Sequence, residues 1–166
     1  MNRSLVLLIL TLALLALAGC SAAATPTAPP VTPQPEIMTL DGPLSLSAFA
    51  ADRQVTPGSD QVYEFMLANA TEQAVPVQVA LAHQAGQRWR TSLCLELQCI
   101  LGDGTEPSVT ETFLLPAYFE LPFQVHLFVD EAAQVGQQAQ LELRLEPQAG
   151  DIPRQRMTLN AAVIAP

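Results

Sequence analysis

The sequence predicts an all-β fold in which two antiparallel sheets pack face to face, with about seven strands between residues 44 and 166. Apolar and polar residues alternate in one short run after another, and successive side chains of a strand face opposite ways. Turn residues separate these runs at intervals of about 8 to 15, the spacing of a sandwich or barrel. After residue 44 no segment has a long helical period with caps.

The first run sets Leu44, Leu46 and Ala48 against Ser45 and Ser47, and Val55-Thr56-Pro57-Gly58 closes a turn after it. Tyr63, Phe65 and Leu67 share one face of the next run, which ends at Asn69-Ala70-Thr71-Glu72. Val77, Val79 and Leu81 follow Pro76, and a fourth segment carries Trp89 and Leu93 into Cys94. Gly102-Asp103-Gly104 punctuates before an apolar segment from Val109 to Leu115. Phe123, Val125, Leu127 and Val129 then oppose Gln124 and His126. Leu141, Leu143 and Leu145 alternate with Glu142, Arg144 and Glu146, and Met157, Leu159, Ala161 and Val163 alternate with Arg156, Thr158 and Asn160. Each run offers one face to a core and one to water.

Upstream the chain changes character twice. Arg3 precedes an apolar run from Leu5 to Ala18, about 14 residues, too short to span a bilayer comfortably and of the size of a signal segment. Residues 20–43 scatter Pro26, Pro29, Pro30, Pro33 and Pro35 among Ala and Thr, a composition that favours extended polyproline-like chain. The expected organisation is a signal peptide over 1–19, a tether over 20–43 and a β-sandwich over 44–166. At about 3.1 Å per residue the tether would reach up to roughly 70 Å.

Two resemblances add to this. Leu17-Ala18-Gly19-Cys20 matches all four positions of the box that ends bacterial lipoprotein signals. It implies lipidation of the Cys20 thiol, cleavage before Cys20, and an extracytoplasmic domain on a cell membrane or outer membrane, held by acyl chains such as palmitate. Several acyl chains anchor permanently where one binds marginally. The alternatives are an uncleaved anchor or a secretory signal cut after Ala24.

Val55-x-Pro57-Gly58 followed by Tyr63-x-Phe65-x-Leu67-x-Asn69-x-Thr71 resembles the first hairpin of bacterial immunoglobulin-like and fibronectin type III-like surface domains. Trp89 followed by Cys94 and Cys99 is similar to a pattern in some of these modules. The resemblance implies an immunoglobulin-like sandwich with a structural or binding role. The spacing departs from true immunoglobulins, which place one Cys on each sheet.

Function classes narrow with composition. Seven arginines, no lysine and a formal charge of −9 repel nucleic acid and leave no basic strip for anionic lipid headgroups. The chain has no Gly-x-Ser-x-Gly, His-Glu-x-x-His or Gly-rich phosphate loop, so no enzyme and no cofactor is expected.

Cys94 and Cys99 are the cysteines left once Cys20 carries lipid. In an oxidising compartment they are expected to pair, with Leu95 to Gln98 as the loop of a hairpin. A redox dithiol or half a metal site is the alternative, although a thioredoxin-type motif has two residues between its cysteines and zinc needs a second ligand pair. His83, at the end of a core-facing run, and His126, on a wet face, could combine with Met66 or Met157 in a copper carrier, the second functional reading. Asp103 and Glu106 are too few for a calcium loop. Arg88-Trp89-Arg90 has the composition of a binding hot spot for an envelope protein or polymer, against the alternative that alternation buries Trp89 and leaves the arginines outside.

Overall fold

The computed structural model describes residues 37–95, 98–102, 109–148 and 150–165. The expected signal peptide, Cys20, most of the expected tether and residues 103–106 lie outside these residues.

Eleven strands are described: β1 (Ile37–Leu40), β2 (Leu44–Phe49), β3 (Asp52–Val55), β4 (Asp60–Asn69), β5 (Val75–Gly86), β6 (Arg90–Leu95), β7 (Gln98–Leu101), β8 (Val109–Leu115), β9 (Glu120–Phe128), β10 (Gln138–Pro147) and β11 (Gln155–Val163). Sheet A has the order β1-β2-β4-β9-β6-β7 and sheet B the order β3-β11-β10-β5-β8. The fold is the expected all-β immunoglobulin-like sandwich, with more strands than about seven. The additional ones, β1, β3 and β7, have four residues each. They sit at sheet edges, where few side chains reach the core and alternation has little to record. β1 places residues 37–40, assigned from sequence to the tether, in sheet A beside β2. One pairing departs from the antiparallel rule, because β3 runs parallel to β11.

Alternation identifies the core. Leu46, Leu67, Val77, Val79, Leu81, Val125, Leu127, Leu143 and Leu159 are fully buried between the sheets, and Phe65 stacks on Phe123 with ring centroids 4.8 Å apart. Burying such a side chain contributes about 1.5–3 kcal/mol each. The Pro57-Gly58 turn forms as expected: Gly58 takes φ +72° and the Ser59 amide donates to the Thr56 carbonyl at 3.1 Å. A β-bulge in the β5–β10 ladder lets Ala85 face Gln140 while His83 faces Leu141.

Polar groups tie the layers together. The Asn69 side chain is buried and its amide donates to the carbonyls of Gln73, Leu115 and Pro116. Its Oδ1 accepts from the Thr71 amide and hydroxyl. The turn expected at Asn69 to Glu72 is therefore also a clamp between the end of β4 and the end of β8.

Candidate binding face

Parity along the strands divides the surface into two sheet faces of different chemistry. The outer face of sheet B carries Gln140, Glu142, Arg144 and Glu146 from β10 and Arg156, Thr158 and Asn160 from β11. Glu142 and Arg144 pair with one another there. Toward β5 and β8 the same parity turns Gln78, Ala80, Ala82, Thr110, Thr112 and the exposed Leu114 outward.

The outer face of sheet A differs. The ladder registers align Ile37, Phe49, Glu64, Gln124, Cys94 and Cys99 in one row across all six strands. The next row toward the β4 C-terminus aligns Thr39, Ser47, Met66 and Pro122. On the other side come Val62, His126, Ser92 and Leu101, and then Asp60, Phe128 and Arg90. Ile37 is 56% exposed, Phe49 41% and Leu101 67%. A hollow of about 520 Å³ lies at one end, beside Arg88, Arg90, Phe128 and Glu131, and one of about 360 Å³ lies on the face between Phe49, Met66, Cys94 and Pro122.

The face carries charge as well as apolar groups. Its ionisable groups are Asp60, Glu64, Glu120, Arg90 and His126, and His126 Nδ1 donates to Asp60 at 3.0 Å. The His126 and Phe128 rings stack at 6.0 Å, and the Arg90 guanidinium sits 5.7 Å from the Phe128 ring centroid. Aromatic residues, Met and Arg are residue types enriched in protein interfaces.

The residues singled out by sequence fall in three places. Cys94 and Cys99 form the expected disulfide, facing each other across the β6–β7 hairpin with Cα atoms 4.0 Å apart. The strands run to Leu95 and from Gln98, so only residues 96–97, outside the described ones, join them, rather than a four-residue loop. Trp89 precedes β6 and is 6% exposed, and it lines the hollow of about 520 Å³ together with Arg88 and Arg90. Arg88 and Arg90 are exposed, and Arg90 belongs to the face.

The copper set is not assembled. His83 is on sheet B and its Nε2 donates to the Trp89 carbonyl at 2.9 Å, whereas His126 is on the outer face of sheet A. Met157 is buried in the core. Met66 stands four residues along β4 from Val62, the partner of His126, a separation of about 13 Å.

Sequence reasoning missed the face as a whole. Its signal lay in the outward positions: Phe49, Val62, Met66, Pro122 and Phe128 where β10 and β11 place Glu, Arg, Gln and Thr. Assigning those strands to one sheet requires the pairing β4–β9–β6, which joins segments far apart in sequence.

No protein-family model matches the chain, and comparison with curated proteins finds no match. Among solved structures it is similar to a family 123 glycoside hydrolase from Clostridium perfringens, with a TM-score of 0.49 and 5% identity over 68% of this chain and 22% of that one. It is similar to the ASH/PapD-like domain 7 of human CEP192, with a TM-score of 0.40 and 12% identity over 88% and 96%. It is also similar to a FixG-related protein from Vibrio parahaemolyticus, with a TM-score of 0.42 and 10% identity over 74% and 98%. The chain thus spans 22% of the length of the glycoside hydrolase. Likenesses of this size say nothing about what this chain binds or does.

Proposed function

We propose that this chain is a lipid-anchored, extracytoplasmic β-sandwich module with a structural or protein-binding role and no catalysis of its own. One observation carries the binding role: the outer face of sheet A gathers Ile37, Phe49, Leu101, Met66, Pro122 and Phe128 on one surface, with Ile37, Phe49 and Leu101 among the exposed large apolar residues. Leaving such a surface in water is costly, and extended apolar patches mark interaction sites. The address rests on Leu17-Ala18-Gly19-Cys20 and the Pro-rich segment after it, which in this reading hold the sandwich above the membrane.

The test is native electrophoresis of gently solubilised membranes from cells labelled with a palmitate analogue. The expected result is label on the wild type, none on Cys20→Ser, and a complex larger than the monomer that Phe49→Asp dissolves while Gln140→Asp on sheet B does not. A monomer in every lane would overturn the binding role, and label on Cys20→Ser would overturn the anchor.

A further inference from the structure

Four strands end the two sheets, and β8, with seven residues against four in β1, β3 and β7, is the longest of them. The Gln148 amide donates to the Pro76 carbonyl, so Pro76 turns its polar backbone toward the β10 side, and its alternating neighbours Val75, Val77 and Val79 turn theirs toward β8. Their partners Leu115, Phe113 and Glu111 are therefore the bonded residues of β8, whereas Thr110, Thr112 and Leu114 direct N–H and C=O away from β5. Among the described residues no strand pairs with that side, and Thr110, Thr112 and Leu114 are exposed.

Beside this open edge lies a hollow of about 580 Å³, walled by Leu95, Phe113, Leu115, Pro116, Phe119 and Leu121 among others. Glu111 lines it too, because it has the parity of the buried Val109 and Leu115 and its ladder partner Val79 is fully buried. This half-buried carboxylate is the one ionisable group among the described residues of the hollow, and none of the described residues forms an ion pair with it. We propose that the β8 edge accepts an extended segment of another protein as an added strand, one that carries Lys or Arg opposite Glu111 and a large apolar side chain four residues away, in the hollow.

Each part of the site selects the occupant. A strand meets the alternating N–H and C=O groups of an edge, and its side chains then point inward at every second position. Glu111 and Leu115, on one face of β8, set the spacing between cation and apolar group. An inward charge keeps apolar strands off an edge, since pairing would bury it without a partner. A strand that brings a cation escapes that penalty, so one carboxylate both guards the edge and chooses what joins it. The formal charge of −9 favours a basic partner as well. This chain does not supply the segment: outside the described residues its one basic residue is Arg3, and residues 20–36 hold five prolines, which cannot donate to a ladder. Of the four outermost strands only β3 carries a cation, Arg53, and that side chain donates to the Phe49 and Val62 carbonyls of its own chain. The site is separate from the outer face of sheet A and does not depend on it.

The test takes the full-length chain in mild detergent and two fluorescent peptides, acetyl-Thr-Leu-Thr-Val-Thr-Lys-Thr-amide and the same sequence with Glu in place of Lys. The lysine peptide should bind at least about tenfold more tightly than the glutamate one and should slow amide exchange at Thr110, Thr112 and Leu114. Glu111→Lys should invert the preference. Thr112→Pro removes an outward N–H and leaves the β5 ladder whole, so it should weaken the lysine peptide at least about tenfold with the circular dichroism spectrum unchanged, while Gln140→Asp changes nothing. No binding of the lysine peptide at millimolar concentration, or equal binding of the two peptides, overturns the proposal. Binding without protection of those amides overturns the added strand, and self-association of the peptide-free chain that Thr112→Pro abolishes overturns another protein as occupant.

Discussion

The Tyr63 hydroxyl, on β4 of sheet A, donates to the Asn160 carbonyl, on β11 of sheet B, at 2.9 Å. Tyr63 is 1% exposed, so this bond crosses the core and fixes one sheet against the other. Arg53 packs on the same ring, its guanidinium 5.8 Å from the centroid. Removing the hydroxyl in Tyr63→Phe leaves a carbonyl without this partner and should cost about 1–2 kcal/mol in urea unfolding.

The same phenol makes stability fall in alkali. Burial pushes its pKa well above the ordinary tyrosine value, nearby Arg53 opposes this and Asp52 adds to it. Below about pH 10 the phenol is neutral in the folded and unfolded chains alike, and its contribution is fully present. Above that pH the unfolded chain releases the proton while the folded one keeps it, so stability declines by up to about 1.4 kcal/mol per pH unit. Tyr63→Phe should lose less stability than the wild type between pH 8 and pH 11, as measured by the urea midpoint.

Gly86 ends β5 with φ +77°, and a Cβ added there would lie 2.1 Å from the Gln138 carbonyl oxygen. The obstacle is backbone, which cannot rotate away. Gly86→Ala should destabilise by more than about 2 kcal/mol, whereas Gly136→Ala, with φ +89° but open space around it, should cost only the conformational strain. Parallel thermal melts distinguish the two.

Asn69 serves three carbonyls and accepts two hydrogen bonds from Thr71. Asn69→Ala strands buried carbonyls and should cost about 2–3 kcal/mol. Because the clamp joins β4 to the end of β8, amide exchange should accelerate there before it does in the β10–β11 ladder.

Reduction of Cys94–Cys99 should cost about 2 kcal/mol, the effect of closing so short a loop. The disulfide lies on the outer face of sheet A, with Cys99 exposed. A reductant should therefore act on the folded domain without prior unfolding, which free-thiol titration under native conditions measures.

The core was legible in the sequence because alternation is written residue by residue: Tyr63, Phe65 and Leu67 on β4 and Leu141, Leu143 and Leu145 on β10 all point inward as the period of two requires. Edge strands were not, since Ile37 to Leu40 and Asp52 to Val55 present little to the core. The candidate face was half legible. Its outward residues are plain in each strand, but only long-range pairing brings Phe49, Gln124 and Cys94 into one row. The Arg88-Trp89-Arg90 triplet shows the same limit: parity separates the indole from the arginines, and packing decides that Arg90 joins Phe128.

β11 lies between β10 and the parallel strand β3, in the interior of sheet B, although it comes last of the eleven strands. Sheet B can therefore close only after this segment has been synthesised, when it inserts between a near neighbour in sequence and one about a hundred residues earlier. Until that moment β3 and β10 lack the strand that joins them in the native sheet, so completion of sheet B is the last step in the assembly of the domain.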